Sequence, residues 1–254
     1  MIRFAAENAR GHALDAAFTR LALPDSLAPD VCLVLGGDGT MLRAIHAHGP
    51  LHSYLGINCG YLGFLMNDMA GEPDAVARAV AGVLEAEGYV SHGFPRLQVR
   101  AISPDGDDFE GAAVNDVYVE RQTGQTCHLR VTVDGVEAVK RMVCDGLIAA
   151  TPLGSTAYSF SAGGPAAHPL VRATQLTAIC PHTPRLAPLV LPHTSPIHIE
   201  VLDWEHRPAR CVIDGEPLGN VEQVDVRGSD VSVRLCFLAG HDFTRTMFEK
   251  IVHA

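Results

Sequence analysis

The chain lacks any apolar run long enough to cross a membrane: its runs are short, as at Val31 to Leu35, against the ~20 residues a span requires. No secretory leader is expected in the opening residues, because Arg3, Glu7, Arg10 and Asp15 interrupt them where an apolar stretch of ~7 to 15 would stand. Basic residues are in deficit, 19 Lys and Arg against 29 Asp and Glu for a net charge of −10. That balance argues against a chain whose main task is to neutralise nucleic-acid phosphates, and it leaves room for a local basic pocket. The seven cysteines (32, 59, 127, 144, 180, 211 and 236) are odd in number and never closer than 17 positions. They suggest neither a disulfide framework nor a C-x-x-C metal or redox site, and reduced, mostly buried thiols are expected. No repeat, low-complexity tract or long linker is present. These absences point to a soluble, cytoplasmic protein with no membrane or nucleic-acid partner.

What is present is globular in composition. Hydrophobic residues make up 47% and charged residues 19% of 254 positions, and mean hydropathy is +0.14, outside the range of disordered chains. At ~150 residues per domain the length fits one large domain or two small ones. The first third alternates strand and helix signals. Val31 to Leu35 has the look of a buried parallel strand, Met41 to His48 has helical spacing stopped by Gly49-Pro50, and Leu55 to Asn58 reads as a second strand. Pro73 to Glu87 reads as a helix with Pro in its first turn. From about Arg96 the texture changes to nine candidate strands: Leu97 to Ile102, Gly111 to Glu120, His128 to Val133, Val136 to Val143, Leu176 to Cys180, Ile197 to Leu202, Arg210 to Ile213, Val221 to Val226 and Val231 to Phe237. Turn signals such as Asp134-Gly135 and Asp214-Gly215 separate them. The outline is a βαβ layer followed by an all-β domain, with a last helix over Phe243 to Val252.

Gly36-Gly37-Asp38-Gly39-Thr40 sits between the apolar strand and the helix. Glycines there let the backbone turn tightly and bring N–H groups close to a ligand, while the helix N-terminus adds free donors and a positive dipole end. This is a phosphate site in outline. It is not the P-loop, because no Gly-Lys-Ser/Thr follows, and it is not the dinucleotide fingerprint, because Leu42 stands where a third Gly is needed. Asp38 is the unusual member. A bare carboxylate ~4 Å from a phosphate charge is repelled by about 4 kcal/mol at an effective dielectric of about 20. It should therefore either hold a divalent cation or accept a proton from an attacking hydroxyl. The plainer alternative makes Asp38 a turn residue and Thr40 a helix cap.

A second constellation, Asp145 to Pro165, is dense in Gly, Ser and Thr around Tyr158. Small residues let backbone and hydroxyls approach a polyhydroxylated ligand, and the tyrosine supplies a stacking face. A serine-hydrolase elbow does not fit, since Ser155 has Leu153 and Ala157 where G-x-S-x-G needs glycines. Upstream, Asn115 and Asp116 lie in a strand-like stretch, so either one faces outward or the strand ends at a pocket. Among the thirteen histidines, His46 and His48 face different ways on a helix, His182 and His193 lie in loops, and H-E-x-x-H is absent. Structural histidines are expected rather than zinc ligands.

Taken together, GGDGTML (Gly36 to Leu42), GINCGYLGFL (Gly56 to Leu65), VND (Val114 to Asp116), DGLIAATPLGSTAYSFSAGGP (Asp145 to Pro165) and ICPHTPRLAPLVLP (Ile179 to Pro192) resemble the NAD kinase family over about residues 30 to 240. The GGDGT loop is shared with diacylglycerol-kinase-like lipid kinases and phosphofructokinases; the long second segment is what separates NAD kinases from them. The resemblance implies a Rossmann-like α/β domain of the phosphofructokinase and lipid-kinase type over 1–93, joined by the C-terminal segment 240–254, and a β-sandwich-like, NAD-binding domain over 94–239. It implies transfer of the γ-phosphoryl group of ATP (or polyphosphate) to the adenosine 2′-hydroxyl of NAD with a divalent cation, Mg2+, by a homodimer or homotetramer. Asp38 matches the general base and Gly36, Gly37, Gly39 and Thr40 the phosphate-side loop. Phe64 matches an aromatic near adenine, and Asn115 and Asp116 match an Asn-Glu pair on ribose and adenine. Asp145, Thr156, Ala157, Tyr158 and Ser161 match residues at the nicotinamide end and adenine.

The sequence departs from that pattern in two places. Asp116 is one methylene shorter than the usual Glu, and Val143 stands where a basic residue is common, with Arg141 or Lys140 as substitutes. The first 30 residues match nothing. The competing readings are a lipid or sphingoid kinase with the same loop and a nucleotide-binding sensor without catalysis.

Overall fold

The opening residues, which carry no motif, form β1 (Ile2–Ala5) and α1 (Ala9–Leu21). Asn8 caps α1 by accepting the Gly11 N–H at 2.8 Å, and Leu14, Ala17 and Phe18 form its buried side. β2 (Val31–Gly36) is buried along its whole length, as a central parallel strand is. α2 (Asp38–His48), β3 (Ser53–Asn58) and α3 (Pro73–Glu85) follow, with Pro73 in the first turn of α3. α2 begins three residues before the predicted Met41, because Asp38, Gly39 and Thr40 make its first turn. The computed structural model describes residues 1–6, 8–24, 26–60 and 63–251. Tyr61 and Leu62 of the GYLGF motif and Val252, the predicted helix end, lie outside the described residues. The chain divides into two units, Met1–Phe94 with Ser232–Ala254, and Pro95–Val231.

β4 (Tyr89–Ile102) leads from the first unit into the second, where β5 (Asp108–Ala113), β6 (Asp116–Arg121), β7 (Cys127–Val133), β8 (Val136–Cys144) and β9 (Gly146–Ala150) follow. After a 3-10 turn, Gly154–Thr156, and the short α4 (Tyr158–Ser161) come β10 (Ala173–Ile179), β11 (Leu189–Pro192), β12 (Ile197–Leu202), β13 (Ala209–Ile213) and β14 (Glu216–Asn220). β15 (Gln223–Leu238) returns to the first unit, and α5 (Phe243–Ile251) ends the described chain.

In the first unit β1, β2, β3 and the last part of β15 pair in parallel, in that order. Val31, Leu33 and Leu35 alternate toward α1 and α3 and bury Leu14, Phe18, Val76 and Val80, while α2 packs on β2. This is the α/β layer arrangement expected from the sequence. In the second unit β11-β10-β9-β6-β13-β14 form an antiparallel sheet. β8, β7, β12 and the first part of β15 form another run, and β4 pairs with β5. Leu97, Val99, Leu129, Ile199, Leu147, Leu176 and Cys211 meet between the layers, so the unit is a β-sandwich held by the inward half of each alternating strand. All seven cysteines are free thiols and six are buried, Cys180 being the exposed one.

Two strand expectations are corrected. Gly111 to Glu120 is not one strand: it breaks at Val114 and Asn115 into β5 and β6, because the N–H groups of the break are taken by a side chain instead of a neighbouring strand. Conversely, Val221 to Val226 and Val231 to Phe237 belong to the single strand β15 from Gln223 on. The Gly228-Ser229-Asp230 stretch has turn composition, but pairing of Val226 with β12 and of Arg234 to Cys236 with β3 holds it extended. The edge strands β11 and β14 went unanticipated; each contains proline, which an edge position tolerates.

Candidate functional site

In the first unit the glycine loop joins β2 to α2. Gly37 precedes the helix, and Thr40 and Met41 donate to its carbonyl at 2.9 and 3.0 Å, which leaves the earlier N–H groups without an intrahelical acceptor. A Cβ placed on Gly37 or Gly39 would meet nothing within 4 Å, so the backbone there is open to a ligand. Asp38, the first residue of α2, is neither a loose turn residue nor a cap of its own helix. Its Oδ2 accepts the Phe64 N–H at 2.7 Å and its Oδ1 the Leu65 N–H at 3.0 Å. Gly63 makes this possible, since a Cβ there would stand 2.3 Å from Asp38 Oδ1. Thr40 is buried, and its Oγ1 takes a long 3.4 Å contact from Arg43. Phe64 is half-buried, beside the carboxylate that its N–H holds.

In the second unit the break between β5 and β6 carries Asn115, and Asp116 opens β6. The carbonyl of Asn115 accepts the Thr151 N–H at 2.8 Å and that of Val114 the Thr151 hydroxyl at 2.7 Å. A Cβ on Gly154 would lie 2.2 Å from the Asn115 carbonyl oxygen, so only glycine fits there. Asn115 Oδ1 is buried and has no hydrogen-bond partner among the described residues. Asp116 is 4% exposed. Burial, followed by the charge of Asp214, pushes its carboxyl up to about 7.

The Gly, Ser and Thr-rich segment divides its hydroxyls into two sets. Ser155 bonds the Pro152 carbonyl at 2.6 Å and Ser159 meets the Thr177 hydroxyl at 2.9 Å, so these are internal fasteners. Thr156, Ala157 and Tyr158 are half-buried and Ser161 is exposed. Tyr158 packs edge-on against Tyr118, with centroids 5.0 Å apart. Burial, and next the charge of Glu120, raise both tyrosine hydroxyls above their usual range. Asp145, between β8 and β9, pairs with Arg121 at 2.7 Å. Both line a hollow of about 430 Å³ with Tyr158 and Arg210. Two other hollows of this unit, about 390 and 590 Å³, contain none of the site residues predicted from the sequence.

Val143 lies opposite His128 in the β7–β8 ladder. Of the two candidate substitutes, Arg141 is the one found against that histidine, Nη2 to Nδ1 3.2 Å. Tyr118, Arg121, Gly63 and Asp214 were not among the site residues predicted from the sequence, although Gly63 lies in the GYLGF motif and Asp214 in a predicted turn. Strand alternation was the available signal for Tyr118, two residues past Asp116 on the same face of β6. Among the described residues no three His, Cys, Asp or Glu side chains group as a metal cage, and no helix is long and apolar enough to cross a membrane.

Known proteins resemble this chain over nearly its whole length. The ATP-NAD kinase N-terminal domain matches residues 10–89 and the ATP-NAD kinase C-terminal domain residues 114–236. An NAD kinase of Cereibacter sphaeroides is 35% identical over 232 residues, 90% of this chain and 87% of the relative. One from Rhizobium meliloti is 36% identical over 203 residues, 79% and 76% of the two chains. Among solved structures, an NAD kinase from Archaeoglobus fulgidus in complex with ATP superposes with a TM-score of 0.76 at 26% identity, covering 100% of this chain and 98% of that one. Yeast NADH kinase complexed with NADH gives a TM-score of 0.76 at 27% identity, covering 88% and 66%. With both domain models matched and 35% of 232 aligned positions identical in a relative covered to 87%, the chain belongs to the ATP-NAD kinase family.

Proposed function

We infer that the chain transfers the γ-phosphoryl group of ATP to the adenosine 2′-hydroxyl of NAD, giving NADP and ADP. Membership of the family carries the reaction; the open backbone at Gly37 and Gly39 and the unpartnered Asn115 Oδ1 support the assignment of roles. The ATP complex of the Archaeoglobus enzyme supports ATP as donor.

In this reading the 2′-oxygen attacks the γ-phosphorus, the bond to the β,γ-bridging oxygen breaks, and ADP leaves with the electron pair. Such a transfer demands alignment and charge stabilisation more than covalent chemistry. Asp38 takes the hydroxyl proton. A carboxylate offers about four acceptor positions, and the Phe64 and Leu65 N–H groups use two, which fixes its direction and leaves room for the proton. The backbone at Gly37, Asp38 and Gly39 binds polyphosphate through N–H groups at the positive end of α2. Asn115 Oδ1 accepts from a ribose hydroxyl or the adenine amino group, Asp116 stands beside it, and Tyr158 with Tyr118 presents an aromatic edge to the ligand. Asp145 and Arg121 form a neutral pair next to Tyr158. A divalent cation would supply charge to neutralise the phosphates; among the described residues no three His, Cys, Asp or Glu side chains group to hold it, so ATP itself would hold it for the most part, as suits Mg2+. The resemblance supports a homodimer or homotetramer, which sedimentation of the purified chain reads directly.

The test is a coupled assay for NADP from NAD, ATP and Mg2+, run beside Asp38→Asn and a no-ATP control. Loss of at least ~100-fold in kcat is expected of the variant. Near-normal turnover would remove Asp38 from its role, and phosphorylation of a lipid in place of NAD would move the chain to the lipid-kinase class.

A further inference from the structure

The break at Val114 and Asn115 keeps its shape because one distant side chain collects its donors. The N–H of Val114 donates to Asp214 Oδ2 at 2.7 Å, and those of Asn115 and Asp116 to Oδ1 at 2.8 and 3.1 Å. The Asp214 N–H in turn donates to the Asp116 carbonyl at 2.9 Å. With Thr151 taking the carbonyls of Val114 and Asn115, the backbone of the break is satisfied on both sides. The polar atom left over is Asn115 Oδ1.

The turn itself does not require this carboxylate. Asp214 and Gly215 join β13 to β14 with φ of 48° and 87°, and Asp134 and Gly135 join β7 to β8 with φ of 50° and 76°. The two turns have the same sequence and the same left-handed residues, which Asn-Gly serves equally well. Yet Asp134 accepts a single side-chain bond, from Ser195 at 3.0 Å, whereas Asp214 gathers three successive N–H groups of a segment 98 to 100 residues away.

We propose that Asp214 is a positioning residue for NAD recognition, its carboxylate setting the direction in which Asn115 and Asp116 present their side chains. The proposal rests on the reading that this pair holds NAD. It also gives the charge of Asp214 a second effect, opposing ionisation of the buried Asp116. Among the described residues Tyr118 and Tyr158 also interact electrostatically with Asp116, and burial raises both hydroxyls above their usual range, so they stay protonated near neutrality.

The experiment measures steady-state kinetics on the full chain carrying Asp214→Asn, with Asn115→Ala as control. Asn accepts the left-handed backbone, keeps one oxygen, puts an NH2 group among N–H donors and removes the charge. The expected result is a KM for NAD raised at least ~10-fold, with kcat at saturating NAD within about threefold and KM for ATP unchanged. The pH dependence of the NAD KM should also move to lower pH, which a merely structural role would not produce. If Asn115→Ala raises the NAD KM while Asp214→Asn leaves it and its pH profile as in wild type, the proposal is overturned alone. If neither variant changes it, the reading of the pair falls first and takes the proposal with it. Should Asp214→Asn not fold, Asp214→Glu keeps both acceptors and the charge on a longer arm. A raised NAD KM with an unshifted pH profile is then expected, and a wild-type KM overturns the proposal.

Discussion

Asp38 in the first unit and Asp116 in the second both open a regular element, α2 and β6, yet their carboxyl groups are handled in opposite ways. Asp38 is partly exposed at a helix N-terminus, and two loop N–H groups hold its oxygens. Asp116 is 4% exposed beside Asp214, and burial and that neighbouring charge push its carboxyl up to about 7. Asp214 is the counterpart of Asp38, since it too is caught by backbone donors. Where N–H groups converge, a negative charge is oriented and accommodated; where burial comes without them, the neutral form gains. The two units thus offer one acid fixed in direction and one acid poised to change its charge near neutrality.

The largest expected effect breaks that contrast at Asp116. Its folded pKa of about 7 lies above the ~3.9 of an unfolded Asp, so the folded state holds the extra proton between those values. The contribution of Asp116 to stability is therefore greatest below about pH 4, falls as pH rises toward 7 and levels off above. Relative to Asp116→Asn, which cannot titrate, the wild type should lose about 1.4 kcal/mol per pH unit across this window, on the order of 4 kcal/mol in all. Denaturant unfolding of both proteins from pH 4.5 to 8 reads the difference, and a flat difference would show that Asp116 ionises normally.

Two glycines sharpen the comparison next. Gly63 and Gly154 each leave space for a candidate residue, but what would fill it differs. A Cβ at Gly63 meets the Asp38 carboxylate, a side chain that can rotate, whereas one at Gly154 meets the Asn115 backbone at 2.2 to 2.5 Å. Gly63→Ala should therefore displace Asp38 and lower kcat about 100-fold, the cost of a ~1 Å misplacement, with little change in melting temperature. Gly154→Ala should cost about 1–3 kcal/mol of stability, as overpacking does, measured by denaturant unfolding. A Gly63→Ala enzyme with wild-type kcat would mean that the direction of Asp38 does not matter.

What was legible in the sequence follows the range of the interactions. Asp38 and its glycines are adjacent in the chain, so their chemistry could be read as one motif, and the strand and helix around them follow from Val31 to Leu35 and the spacing of Leu42 and Ile45. Asn115 and Asp116 were readable as a pair, with the strand ending there as one of two options. The groups that orient these residues were not. Gly63 acts 25 residues from Asp38, and Asp214 acts 98 residues from Asp116 from a dipeptide that reads as an ordinary turn. α1 was missed although Leu14, Ala17 and Phe18 have helical spacing, because its alanine-rich flanks blur the apolar stripe. β14 (Glu216–Asn220) contains both Pro and Gly, and only its pairing with β13 makes it a strand.

The smallest expected effect concerns charge at the surface, where neither unit's treatment of aspartate applies. Arg20 on α1 and Asp74 on α3 meet at 2.5 Å with side chains 60% and 54% exposed. Water screens such a pair, and ordering two mobile side chains offsets most of the attraction. The contact between α1 and α3 is carried instead by Leu14, Ala17 and Phe18 against Val76, Ala77 and Val80. Arg20→Ala should change unfolding free energy by no more than about 0.5 kcal/mol, and raising the salt concentration should change it less. A loss several times larger would mean that the pair holds the helices in register, and that short ion pairs on this surface act as Asp38 and Asp214 do in their loops.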